Sequence, residues 1–264
     1  MKPRVLVCPP AYFTVSYEIN PWMRTSDPVD PGRAREQFNR LIARYRSLGV
    51  RVMGIPPVRG LPDMVFTANG AVVRGGTAVV ANFRYPQRVP ETAHFARWFR
   101  AHGFRTVRLP KGTVLEGQGE AFFVNGRLFA GYGFRANRAA HRALGRIFRS
   151  PVVSLRQVDP RWYHLDTCFC PLKDDVVLYY PGAFDAGSRA RIRALTRAIP
   201  VTKREALDFV CNSVPIGDRF VTGSRPTKAT ERRLASLGFR VEHVPLSEFK
   251  KSGGGARCLT LNLD

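Results

Sequence analysis

Acidic residues are scarce in this chain of 264, with 20 Asp and Glu against 42 Lys and Arg, a formal charge of +22. Paired cysteines are missing too. The five present, Cys8, Cys168, Cys170, Cys211 and Cys258, are odd in number and scattered, with no CxxC pair. That pattern speaks against a disulfide framework and for reduced thiols, so a cytoplasmic protein is expected. No stretch of about 18 uncharged apolar residues occurs, and the apolar run that opens the chain is too short for a signal-peptide core. Neither a membrane span nor a secretory leader is expected. The positive charge raises a polyanion as a partner. Against it, the arginines are spread over helix faces such as Arg33 to Arg46 and Arg189 to Arg197, with no basic tail and no nucleic-acid motif. Solvated basic faces account for them without a nucleic-acid partner.

The chain does hold enough apolar residues, 44%, to bury a substantial core. It also holds a repeat. A helical segment ends at a Gly, followed by an aromatic or Val, an Arg and a short β-rich run to a Pro. The copies are Leu48-Gly49-Val50-Arg51-Val52 to Pro56, His102-Gly103-Phe104-Arg105-Thr106 to Pro110, and Leu237-Gly238-Phe239-Arg240-Val241 to Pro245. Each Gly sits where a helix C-cap calls for positive φ, and the alternation after it signals a strand. Helical periodicity marks Arg33 to Leu48, Ala93 to His102, Ala139 to Phe148, Ser188 to Ala198 and Thr227 to Leu237. Asn125-Gly126 inside an apolar run predicts a hairpin from Ala121 to Ala130; Val176 to Pro181 and Arg219 to Thr222 read as further strands. No linker or low-complexity run divides residues 1–264, so one α/β repeat domain is expected.

The residues with chemistry to offer recur on a similar interval: Asp63 and Asn69, then Glu116, His164 and Asp166, Asn212, and Cys258. The groups lie about 50 residues apart, each at a loop-to-strand junction. Arranged radially, such junctions converge on one axis and bring distant polar residues into a single pocket. Cys258 follows Gly253-Gly254-Gly255, which permits close backbone approach, and Arg257 adjoins it, which favours the reactive thiolate. The competing reading is a buried packing cysteine. Strand alternation would put His164, Asp166, Cys168 and Cys170 on one face, with His164 kept protonated by Asp166 as a general acid and then a base. A structural His-Asp pair and a metal site of His164, Cys168 and Cys170 compete with that, although the spacing fits no familiar zinc pattern. Asp63, Glu116, Glu120 and Asp166 would form an acidic pocket in a basic protein, suited to a planar guanidinium; ordinary ion pairs are the bland alternative. Glu116-Gly117-Gln118-Gly119-Glu120 is no phosphate loop, since it lacks GKS/T and carries acids where an anion would sit.

Five segments together resemble the guanidine-modifying superfamily of arginine deiminases, dimethylarginine dimethylaminohydrolases, amidinotransferases and bacterial arginine dihydrolases. They are Asp63-Met64-Val65-Phe66-Thr67-Ala68-Asn69, Glu116-Gly117-Gln118-Gly119-Glu120, Gly131-Tyr132-Gly133-Phe134-Arg135, His164-Leu165-Asp166-Thr167-Cys168-Phe169-Cys170 and Gly253-Gly254-Gly255-Ala256-Arg257-Cys258-Leu259-Thr260. The resemblance implies a five-fold pseudosymmetric α/β propeller. It implies Cys258 as the nucleophile, His164 as the acid and base, and Glu116 and Asp166 as the guanidinium holders. It further implies Asp63 as an acid near the substrate and Arg88 and Arg135 as ligands of the substrate carboxylate, with Arg84 near enough to compete with Arg88. No metal or organic cofactor is implied, and a homo-oligomer is compatible with it. Asn69 stands where many relatives have a carboxylate, and the Phe66-Thr67-Ala68-Asn69 version is most similar to arginine dihydrolases. Asn can donate to the neutral ureido oxygen of citrulline as ionised Asp cannot, which would permit a second hydrolysis to ornithine. Dimethylarginine hydrolysis and amidinotransfer are the alternatives within the superfamily, and a non-catalytic polyanion binder the alternative outside it.

Overall fold

The computed structural model describes residues 2–264. Positive-φ Gly stops and tight hairpins divide the chain into five units, each a three-stranded sheet with an outer helix. The second unit shows the pattern. Strands β3 (Ala71–Arg74) and β4 (Thr77–Val80) form an antiparallel hairpin, helix α2 (Glu91–Ala101) crosses over, and β5 (Arg105–Val107) returns parallel to β4. The third repeats it with β6 (Ala121–Val124), β7 (Arg127–Tyr132), α3 (Arg138–Phe148) and β8 (Val152–Arg156). The fourth has β9 (Phe169–Lys173), β10 (Val176–Tyr179), α4 (Ala186–Leu195) and β11 (Arg197–Pro200). After the short helix α5 (Lys203–Leu207), the fifth has β12 (Val214–Ile216), β13 (Arg219–Thr222), α6 (Lys228–Ser236) and β14 (Arg240–His243). The first unit is closed from both ends of the chain. Its β1 (Arg4–Val7) and β2 (Arg51–Gly54) flank α1 (Pro31–Ser47), and its hairpin partner is β15 (Leu261–Asn262), which follows the one-turn helix α7 (Ser247–Lys250). The architecture is the expected five-bladed α/β propeller.

Local chemistry explains most boundaries. Asn125 and Gly126 take φ 45° and 72°, the positive values that a two-residue hairpin turn requires. Gly49, Gly103 and Gly238 take φ 77°, 78° and 85° where α1, α2 and α6 stop. Two expectations are corrected. Helix α4 ends at Leu195 rather than Ala198, because Thr196 turns extended and its hydroxyl donates to the Ile192 carbonyl at 2.7 Å, freeing Arg197 for β11. His164 and Asp166 do not share a strand face, since a 3-10 turn over Leu165–Thr167 intervenes and β9 begins only at Phe169.

Seven of the 20 acidic side chains are buried, against Arg88 and Arg135 alone of the basic ones, so the outward surface is still more basic than the chain as a whole. Among the described residues no helix is long and apolar enough to cross a membrane.

Candidate active site

The first hairpin strand of each unit lies innermost, and the turn that enters it carries the polar residues. Two 3-10 turns, Pro62–Val65 and Thr67–Gly70, precede β3; Gly117–Gly119 precedes β6; and Leu165–Thr167 precedes β9. Asp63, Asn69, Glu116, His164 and Asp166 are thereby delivered to one end of the axis, with Asn212 ahead of β12 and Cys258 ahead of β15. Gly117 makes the convergence feasible: it holds φ 55°, and a Cβ there would stand 2.5 Å from the Ala68 carbonyl oxygen.

Cys258 is buried, and its Sγ donates to Asp166 Oδ2 at 3.0 Å. Asn212 Nδ2 donates to the same sulfur at 3.0 Å, while Asn212 Oδ1 accepts from the backbone of Gly255 and Cys258 at 2.9 and 3.1 Å. One amide therefore sets both the thiol and the glycine-rich loop that presents it. Burial, the Asp166 charge and the hydrogen bond to it push the thiol well above its ordinary value. Burial likewise pushes Asp166 up to about 7. The thiol therefore keeps its proton and shares it with the Asp166 carboxylate.

His164 faces a different carboxylate. Its Nε2 lies 2.7 Å from Glu116 Oε2, which also accepts from Arg135 Nη1 at 2.8 Å. Burial alone would raise Glu116, but Arg135, His164 and Arg88 hold it well below the carboxylate range. An ionised Glu116 only accepts, so Nε2 carries the imidazole proton and Nδ1 presents a lone pair with no protein partner. Burial depresses the imidazole to about 4. The carboxylate partner of His164 is thus Glu116 rather than the expected Asp166, and burial favours the neutral imidazole.

Arg88 and Arg135 are both buried. Arg88 forks onto Glu91 at 2.9 Å through Nε and Nη2, and its Nη1 donates to Asn69 Oδ1 at 2.8 Å. That bond fixes the amide orientation and leaves Asn69 Nδ2 as a buried donor without a partner. Arg84 does not compete for the position: its side chain is exposed, and only its backbone reaches Glu116, at 3.3 Å. Arg135 is stacked between Tyr85 and Tyr163, 4.5 and 4.9 Å from their rings.

A loop over residues 9–30 covers the site. Tyr17 donates to Asp63 Oδ2 at 2.9 Å, the Ile19 carbonyl accepts from Arg135 Nη2 at 2.7 Å, and Trp22 packs against Phe209 with ring centroids 4.6 Å apart and planes tilted by 55°. Beneath it Asp63, Asn69, Arg88, Arg135 and Cys258 line a cavity of about 10 Å³. That is room for about one water. Asp63 Oδ1, Asn69 Nδ2, His164 Nδ1 and Asp166 Oδ1 are all buried without protein partners. Two acceptors of carboxylate type, one amide donor and one base are left for a ligand to satisfy.

All eight residues singled out for the site, Cys258, His164, Asp166, Glu116, Asp63, Asn69, Arg88 and Arg135, meet in this cluster. Glu120 does not join the pocket; it is buried beside Gly131, where a Cβ would meet Glu120 Oε2 at 2.4 Å and Gln157 Oε1 at 2.6 Å. Tyr17, Glu91 and Tyr163 carried no motif that could have marked them. Asn212 did carry a signal, its place in the interval of polar junctions.

Comparison with known proteins agrees with this geometry. A sequence family described as N,N dimethylarginine dimethylhydrolase, eukaryotic, matches residues 10–263. The bifunctional arginine dihydrolase/ornithine cyclodeaminase ArgZ of Synechocystis is 41% identical over 269 residues, covering 98% of this chain and 37% of the relative. The chain thus spans somewhat over a third of the length of such bifunctional relatives. The N(G),N(G)-dimethylarginine dimethylaminohydrolase of Mycobacterium tuberculosis is 42% identical over 263 residues, 98% of this chain and 85% of its own. The crystal structure of the N-terminal domain of ArgZ bound to product superposes with a TM-score of 0.96 at 39% identity, covering 100% of this chain and 98% of that one.

Proposed function

The chain belongs to the dimethylarginine dimethylaminohydrolase family of guanidine-modifying enzymes, and on that premise we propose that residues 1–264 form one catalytic domain that hydrolyses free arginine twice, to ornithine. The observation that carries the reading is the set of unpartnered buried atoms around Cys258, two carboxylate oxygens for a guanidinium, one amide donor for a ureido oxygen and one imidazole base. In this reading Asp63, Glu116 and Asp166 supply the negative field that holds the guanidinium, and Arg88 and Arg135 take the substrate carboxylate.

Arrival of the cation beside the Cys258–Asp166 pair favours the thiolate. Its sulfur attacks the guanidinium carbon, His164 passes the released proton to the departing nitrogen, and ammonia leaves an S-alkylthiouronium. Water, deprotonated by His164 Nδ1, attacks the same carbon and expels Cys258, giving citrulline. In the second round ammonia is again displaced, leaving a thiocarbamate. Water releases it as the N-carboxylate, which loses carbon dioxide to give ornithine.

Asn69 decides between one round and two. Its Oδ1 is occupied by Arg88 and its Nδ2 is free, the donor that the neutral ureido oxygen needs. Arginine should yield two ammonia per molecule, measured by enzymatic ammonia assay against ornithine by chromatography. Asn69→Asp is expected to cut the ratio toward one, with citrulline accumulating. A wild-type ratio of one would sink the dihydrolase reading and leave a deiminase.

The M. tuberculosis relative, matched over most of its length, favours dimethylarginine as a second candidate substrate. Dimethylamine release, with arginine left untouched, would identify that activity.

A further inference from the structure

The axis holds a second cavity, of about 220 Å³, which shares no lining residue with the substrate pocket. The inner strands run from the site into its walls: Asn69, Glu116, Asp166 and Asn212 are followed within a few positions by Val72, Gln118, Phe169 and Ser213, which line it. Arg257, next to the nucleophile in sequence, supplies a guanidinium to this cavity. Ala256 and Cys258 are buried on either side of it, whereas Arg257 keeps accessible surface.

The partners of that guanidinium are few. Nη2 donates to Gln118 Oε1 at 3.0 Å, the group lies 5.0 Å from the Phe122 ring, and Nε has no partner. The other charged residue lining the cavity, Asp264, is already met by Arg4 at 2.8 Å. Among the described residues no carboxylate comes within ion-pair distance, 4.0 Å, of Arg257. A guanidinium whose hydrogen bond goes to a neutral amide, with no carboxylate in ion-pair range, has donors left for an anion. The cavity is several times a water's share of about 30 Å³, enough for a small anion with some hydration. A guanidinium fork matches oxyanions in shape and charge.

We infer that the axial cavity is a binding site for a small oxyanion, a carboxylate or inorganic phosphate held by Arg257, and that its occupancy slows the reaction at Cys258. The coupling half rests on the proposed role of Cys258. Arg257 adjoins Cys258 and is tied through Gln118 to the Gly117–Gly119 turn that directly follows Glu116, and its charge opposes the upward push that burial gives Asp166. An anion on Arg257 cancels that help, and Asp166, holding its proton more tightly, offers less charge to the guanidinium.

Titration of phosphate and of acetate into the protein by calorimetry, and into the arginine assay at constant ionic strength, tests both halves. Either anion should bind, and should lower kcat without competing with arginine. Arg257→Gln should weaken binding about tenfold or more. Leu172→Trp, which fills the cavity from β9, should abolish binding and the inhibition while keeping basal turnover. Absence of binding to the unsubstituted protein, or binding unchanged in Arg257→Gln, would overturn the site. Inhibition strictly competitive with arginine would place the anion on Arg88 and Arg135 instead and overturn it equally. Should Cys258 prove dispensable for turnover, the coupling falls while the calorimetry still judges the site.

Discussion

Cys258→Ser is expected to lower arginine turnover by about 10⁴-fold or more, with arginine binding and the unfolding midpoint nearly unchanged. The serine hydroxyl can keep both contacts of the sulfur, donation to Asp166 and acceptance from Asn212, so the loop retains its anchor. What it loses is the accessible anion: an alkoxide in this buried, acid-flanked position is far harder to form than a thiolate. Ammonia release and calorimetric arginine binding separate the two effects. Turnover within tenfold of the original enzyme would remove Cys258 from the mechanism. A companion result concerns the free enzyme. Because burial and Asp166 hold the thiol well above its ordinary value, its thiolate fraction at neutral pH is small and grows about tenfold per pH unit. Alkylation of Cys258 by iodoacetamide, followed by mass spectrometry, should therefore climb steadily from pH 7 into the alkaline range. A plateau at neutral pH would mean that the resting protein already stores a thiolate.

The sequence disclosed the repeat where glycine does the work and hid it elsewhere. Gly49, Gly103 and Gly238 stop three of the five outer helices, but the third-unit helix stops at Arg149, in the left-handed region at φ 48°, and the fourth at the extended Thr196. Both endings are invisible to a search for the Gly signature, which is why only three copies could be read. The site was legible as a list of residues and less so as a set of pairs. His164 and Asp166 are close in sequence, yet the 3-10 turn between them sends the imidazole to Glu116, 48 residues away, and the carboxylate to Cys258, 92 residues away. Pairings across blades depend on how inner turns pack on one another, and contacts such as Gly117 against Ala68 leave no periodic trace. Glu91, which immobilises Arg88, reads in sequence as an ordinary first-turn acid of α2.

Glu116→Gln tests that cross-blade pairing, because one oxygen serves both Arg135 and His164. The substitution keeps the volume and removes the charge. If the amide oxygen takes the place of Oε2, Arg135 and the imidazole retain an acceptor but Arg135 loses its buried counter-ion. If the nitrogen takes it, donor faces donor. Either arrangement should destabilise the fold by about 3–5 kcal/mol, as expected when one member of a buried pair is removed. Turnover should fall about 10³-fold or more, because an imidazole without its carboxylate loses tautomer and aim. The stability loss carries its own pH signature. A carboxylate held below its ordinary value of 4.5 contributes stability that is fully present above that value and is lost as pH falls through the depressed one. The gap between the two proteins in urea unfolding should be widest near neutrality and narrow progressively below pH 4.5. A gap independent of pH would show that Glu116 is not ionised in the folded protein, and His164 Nε2 would then be free to serve as the acceptor.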